Sequence, residues 1–164
     1  MDALTLLRDQ VDTAERLLQQ ATEELTLSQA LWRLPGSTAN PIFSIYLHVY
    51  VTEDRIIHRE RAQPPLLESQ GWRERLGFDP AAPWAVPEHP DLDACRAYAR
   101  AVHAVTRAYL AVLTPSALDE EIETPRGRRP RVASLSLMLV THKLTHLGEI
   151  AALLGCQGAK GFPF

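Results

Sequence analysis

The stretch Thr141-His142-Lys143-Leu144-Thr145-His146-Leu147-Gly148-Glu149-Ile150 constrains the fold more than any other part of the chain. It sets two histidines four residues apart inside the most apolar helical pattern. Residues i and i+4 lie one above the other on a helix. Glu149, seven residues after His142, falls on nearly the same stripe. The stripe continues through Leu135, Met138 and Leu139 on one side and through Ile150 and Leu153 on the other. The pattern predicts two imidazoles and a carboxylate aimed at the core. A buried polar group costs free energy unless something satisfies it, so the rest of the chain has to supply what these groups meet.

Three more helical patterns precede this one. Over 3–32, Leu4, Leu7, Val11, Ala14, Leu18, Ala21, Leu25 and Leu31 recur at three- and four-residue steps, and Leu34-Pro35-Gly36 ends the run. Asn40-Pro41 reads as an N-cap and first helical residue for a second helix over about 41–62. Its first half is apolar nearly all round, from Ile42 to Val51, and carries His48. Its second half, with Glu53, Asp54, Arg55, Arg59 and Glu60, is expected to emerge into solvent, His58 with it. Asp91 is placed to cap a third helix over about 91–113, with His103 turned inward, and Thr114-Pro115 stops it. Ser134 is expected to cap the fourth, over about 134–154, and Gly155 to end it.

The connections differ in kind. Prolines 64, 65, 80, 83, 87 and 90 exclude a long helix or a central strand from residues 63–90. A short helix fits at 66–75, with Trp72, Phe78 and Trp84 expected to pin the segment to the bundle. An up-down bundle needs only a few residues here, so the length implies a crossover or a flap. Residues 121–133 read as a small hairpin or an extended loop around Pro125-Arg126-Gly127. The fold expected is all-α: one domain over 1–164, a four-helix bundle with a long crossover between helices two and three. Phe162 and Phe164, in the tail, call for burial.

Composition excludes several functions. The net charge of −3 leaves no basic footprint for nucleic acid. No apolar run is long enough for a membrane span. The N-terminus is acidic and soon polar, so no export signal is expected. Two cysteines, Cys95 and Cys156, make no disulfide framework and no zinc spacing; reduced thiols in a cytoplasmic protein are the expectation. Neither a nucleophile elbow nor a phosphate loop is present, and Cys156 is too far along the helix from His146 to pair with it.

His89 and His58 read as exposed. His48, His142 and His146 each stand in strongly apolar sequence. One such histidine is ordinarily a satisfied core residue; three, on two helices, point to a metal ion. Neutral imidazole suits zinc, nickel, iron and copper, and three histidines leave positions open for water or substrate. Lys143 follows His142, so the helix lacks the glutamate of an HExxH metalloprotease and Lys143 is expected on the surface. Glu149 is the candidate base or supporting carboxylate. Glu53 and Asp54 lie about 140° and 240° round from His48, off its stripe but within reach of a neighbouring helix.

These features together resemble the DinB/YfiT-like family of metal-binding four-helix bundles (DinB superfamily). The likeness is carried by Asn40 to His48 with Glu53 to His58, by Gly71-Trp72-Arg73-Glu74-Arg75-Leu76-Gly77, and by His142-x-x-x-His146-x-Gly148-Glu149-Ile150 with the tail Gln157-Gly158-x-Lys160-Gly161-x-Pro163-Phe164. The resemblance implies His48, His142 and His146 as ligands of one divalent transition metal, zinc or nickel foremost. Many members have Gln where this chain has Glu149. It also implies a homodimer, a role in stress response, and a low-molecular-weight thiol as cosubstrate, since members of known activity are thiol-dependent transferases or isomerases.

Three functions stay open at this point. The first is a metal-dependent S-transferase joining a small thiol to an electrophile. The second is a hydrolase using metal-bound hydroxide. The third is a non-enzymatic binding module whose metal is structural or absent.

Overall fold

The computed structural model describes residues 2–125 and 127–162. Four long helices form the bundle: α1 (Ala3–Thr22), α3 (Ile42–Glu60), α6 (Leu92–Val112) and a last helix made of α7 (Arg131–Leu135), a wider π-turn segment (Ser136–Thr141) and α8 (His142–Cys156). Shorter helices α2 (Leu27–Leu31), α4 (Leu66–Ser69) and α5 (Trp72–Leu76) lie in the connections. Strands β1 (Glu121–Thr124) and β2 (Gly127–Pro130) form an antiparallel hairpin with Glu121 opposite Pro130. The architecture is all-α, as the periodicities require. No helix among the described residues is long and apolar enough to cross a membrane.

The helix directions make the crossover necessary. Asp54 meets Tyr98 and Glu60 meets Tyr109, so α3 and α6 run parallel. The chain must therefore travel back the length of the bundle between them. Asp54 anchors the start of that return: its carboxylate accepts hydrogen bonds from the Leu66 and Leu67 amides at 3.0 and 2.8 Å and from Tyr98 Oη at 2.8 Å. Gly77 turns the chain at φ +59°, where a Cβ would lie 2.9 Å from Pro87. Two arginines finish helix ends across the bundle. Arg96 donates to the Thr22, Glu23 and Leu25 carbonyls behind α1, and Arg8 to the Leu110, Ala111 and Leu113 carbonyls behind α6.

Several expected boundaries move. The 3–32 helix breaks after Thr22 and restarts at Leu27 under a Thr26–Gln29 capping box. Asn40 is not the cap: α3 begins at Ile42 after Pro41, with no side-chain cap. The segment at 66–75 is two short helices parted by Gly71 in the left-handed region. The last helix starts at Arg131 rather than at Ser134 and runs through Gly155 to Cys156. Phe162 is exposed rather than buried, and Arg126 and Phe164 lie outside the described residues.

The larger correction concerns which faces are inside. The second half of α3 emerges only at Arg55 and Arg59, which face solvent; Glu53, Asp54, Ile56, Ile57 and His58 are all buried. His58 Nδ1 lies 2.8 Å from Asp54 Oδ1. Lys143 is 1% exposed. The buried stripe of the last helix is Leu135, Leu139, Lys143, Leu147, Ile150 and Leu154. Steps of four drift about 40° each in an α-helix; the π segment over Ser136–Thr141 absorbs that drift and keeps Leu139 and Lys143 on one face. The histidine stripe is rotated about 110° away from this face, so His142 and His146 are half-buried and Glu149 is exposed.

Lys143 belongs to a polar layer that divides the core. One apolar cluster holds Leu18, Tyr50, Val51, Val102 and Leu147; the other holds Val11, Ile56, Ile57, Leu110, Leu139 and Val140. Between them, on each long helix, falls a polar group: Glu15, Glu53, His103 with Thr106, and Lys143. Lys143 Nζ lies 2.5 Å from Glu15 and 2.6 Å from Glu53. Tyr50 Oη donates to Glu15 at 3.0 Å and Thr106 Oγ1 to Glu53 at 2.6 Å. His103 faces both carboxylates and Asp12 at 3.6–3.7 Å. Burial pushes the Glu53 carboxyl up, but the Lys143 ammonium at 2.6 Å, the nearby His103 ring and the Thr106 hydrogen bond outweigh it and hold the group down at about 2.

Candidate metal centre

α3 presents His48 and α8 presents His142 and His146 to one point at the edge of the bundle. His142 Nε2 lies 3.2 Å from His48 Nε2 and 3.2 Å from His146 Nε2. The three side chains form a group able to hold a metal ion. Antiparallel packing of α3 against α8 brings the single histidine opposite the i, i+4 pair, as the spacing requires.

Hydrogen bonding assigns the protons in part. The Glu149 carboxylate accepts from His146 Nδ1 at 2.6 Å. With Nδ1 carrying the hydrogen, the neutral His146 ring turns an Nε2 lone pair towards the other two rings. His142 Nε2 carries either one hydrogen or one lone pair, so it satisfies only one of its two neighbours: when it accepts from His48, its lone pair faces that of His146, and when it donates, its single hydrogen serves one ring alone. A cation removes that conflict, because all three nitrogens then act as donors of electron pairs. The distances suit it: Zn–N bonds of about 2.0–2.1 Å at tetrahedral angles put the nitrogens roughly 3.3 Å apart. Burial, together with repulsion from His146, lowers the pKa of both His48 and His142 to about 4. Both are therefore neutral and ready to bind a metal at pH 7.

Two neighbours complete the site. The Trp84 ring stacks on His48, with centroids 4.2 Å apart and an angle of 27°. It comes from the returning crossover, which thus covers the histidines as its length suggested. Glu149 acts through His146 Nδ1, fixing ring orientation and tautomer. We expect Glu149→Ala to weaken metal binding by roughly 10–100-fold with the fold intact, read by competition against a chromogenic chelator; unchanged affinity would remove Glu149 from the site.

The three histidines singled out from the sequence converge, and Glu149 joins them. His103 turns inward but belongs to the polar layer. Glu53 and Asp54 do serve neighbouring helices, through Lys143 with Thr106 and through Tyr98 respectively. His58 was expected in solvent; it is buried because Asp54, anchoring the crossover, also accepts its Nδ1–H. Lys143 was expected at the surface and is the most misplaced. Its spacing from Leu139, Leu147 and Ile150 was the available signal. Sequence alone did not single out Trp84 as the ring over His48, since nothing local links a residue in a proline-rich return to a helix 36 positions earlier.

Comparison with known proteins bears on the family and the fold. The model of the DinB superfamily matches residues 10–150. A conserved protein from Enterococcus faecalis, known from its crystal structure, superposes with a TM-score of 0.74 at 19% identity, over 94% of this chain and 99% of that one. At that identity the likeness speaks for the fold. No curated protein matches the chain.

Proposed function

We propose, for a chain that belongs to the DinB superfamily, that His48, His142 and His146 hold one divalent transition metal, zinc or nickel foremost, and that the protein is a small-thiol-dependent S-transferase. The observation that carries the reading is that His142 Nε2 lies 3.2 Å from the Nε2 atoms of both other half-buried rings, all three ligand atoms falling within 4.8 Å of one another. Three protein ligands leave coordination positions for a substrate. A bound divalent ion supplies Lewis acidity, which makes a thiol acidic enough to serve as a nucleophile near neutral pH. The chain's own groups do the rest. Glu149 orients His146. Trp84 walls one side of the site with an aromatic face, suited to a flat or apolar electrophile, and excludes water there.

The competing hydrolytic reading needs a free general base, for which Glu149 was the candidate. Its carboxylate is engaged with His146 Nδ1, which weighs in favour of transfer. The test is a thiol-consumption assay with glutathione, mycothiol or bacillithiol and a halogenated aromatic or an epoxide as acceptor. Metal-stripped protein and protein reloaded with zinc or nickel are compared. Turnover that returns with the metal supports the proposal; no metal-dependent turnover with any of these thiols overturns it.

A further inference from the structure

A small cavity of about 110 Å3, apart from the histidines but on the hairpin and the two helices that carry them, is lined by Ile56, Arg59, Pro125, Arg129, Leu137 and Met138. Helix geometry relates the two. Ile56 follows His48 by eight residues, about 12 Å of rise, and Met138 precedes His142 by about one turn. His48 meets His142 while Ile56 and Met138 share the cavity, so a seam runs from the Nε2 cluster to the cavity between antiparallel helices.

The α3 side of this seam has a distinctive stripe. Thr52, Arg55 and Arg59 all point within about 40° of the direction of His48. Thr52 is half-buried, and both arginines are exposed. Arg55 lies over the Phe78 ring at 5.8 Å, and Phe78 belongs to the same crossover segment as Trp84. Neither Arg55 nor Arg59 pairs with a carboxylate among the described residues. Arg128 and Arg131, on the hairpin and just after it, are each paired with two glutamates. Two uncompensated guanidinium groups thus lie in line with the metal centre, one of them lining a largely apolar cavity.

We infer that this seam is a subsite for an elongated small molecule that reaches the metal centre with one end and presents a carboxylate to Arg59 and Arg55 with the other. The guanidinium fork matches a carboxylate in two parallel hydrogen bonds. An apolar cavity of about 150 Å3 holds benzene, so this one takes a short alkyl segment, not a ring system. Arg55 and Arg59 follow His48 by seven and eleven residues, about 10 and about 16 Å of rise, so the carboxylate belongs roughly 10–16 Å from the metal-binding end. The inference rests on the proposed metal site but not on thiol chemistry.

The test uses cobalt-loaded full-length protein and two ligand series read by the cobalt absorption bands. The first series runs from mercaptopropionic to mercaptododecanoic acid, each member paired with the alcohol-ended thiol of equal length. The second replaces the thiol by a hydroxamate head, which binds metals through oxygen. The acid-ended ligands should bind at least about tenfold more tightly than their alcohol partners, with the advantage greatest for spans of roughly 10–16 Å. Arg59→Gln, an exposed substitution, should erase that advantage and leave the alcohols unchanged. If the hydroxamate acids show the preference and no thiol binds, the thiol reading falls while the subsite stands. If neither head group shows an acid preference, or Arg59→Gln weakens acids and alcohols equally, the subsite is overturned.

Discussion

Lys143→Met lowers the melting temperature by roughly 6–20 °C. Removing one partner of a buried ion pair costs about 3–5 kcal/mol, and a domain of this length loses about 2–4 °C per kcal/mol. The size follows from what remains. Glu15 and Glu53 are 3% and 1% exposed, and without the ammonium two carboxylates face each other with little water. The triple variant Lys143→Met, Glu15→Gln, Glu53→Gln should recover most of the loss, since replacing a whole buried charge set is often neutral. Thermal unfolding of the three proteins decides the matter; equal melting temperatures for parent and Lys143→Met would show that the layer contributes nothing. Acid gives an independent reading. Glu53 is held down at about 2 from an ordinary 4.5, so its contribution is fully present above about 4.5 and is lost as pH falls towards 2. Near-UV circular dichroism between pH 5 and 2 should show this loss in the parent. Lys143→Met should begin to unfold at higher pH, because its Glu53 lacks the stabilising charge.

His142→Ala reduces bound metal from about one ion per chain to below about 0.1 in protein purified without a histidine tag. The choice of residue follows from the geometry: His142 Nε2 is the atom within 3.2 Å of both other imidazoles. Loss of a direct ligand should exceed the roughly 10–100-fold effect of losing a supporting group such as Glu149. The ring is half-buried and lies off the core stripe, so helix content should hold by far-UV circular dichroism. Metal content unchanged in His142→Ala, or absent from the parent protein, would refute the three-histidine centre and with it the proposed transferase.

The two predictions mark the limits of what could be read in one dimension. Four helical periodicities, the capping Asp91 and the proline-rich return were legible because each is set by local rules: spacing, φ restriction and missing amide donors. The histidine trio was legible for a related reason. An i, i+4 pair shares a helix face wherever that helix ends up, and His48 stood out against its apolar surroundings. The family likeness in the same stretches pointed the same way. Lys143 was misread because a histidine stripe and a core stripe on one helix differ by about 110°, and the apolar residues of 135–154 surround both. Which of them faced inward depended on Glu15 and Glu53, residues of two other helices. His58 was misread likewise, since its partner Asp54 is buried by Leu66, Leu67 and Tyr98.

The sequence by itself thus determined the all-α class, the number of long helices and the residues able to bind a metal, because periodicity and side-chain chemistry act within a few turns of chain. The tertiary structure alone decided the direction each helix faces, the polar layer through Lys143, and the Trp84 ring over His48. Those rest on contacts between residues 36 to 128 positions apart, and a buried charge or a stacked ring is settled by the partner that arrives, not by the neighbours along the chain.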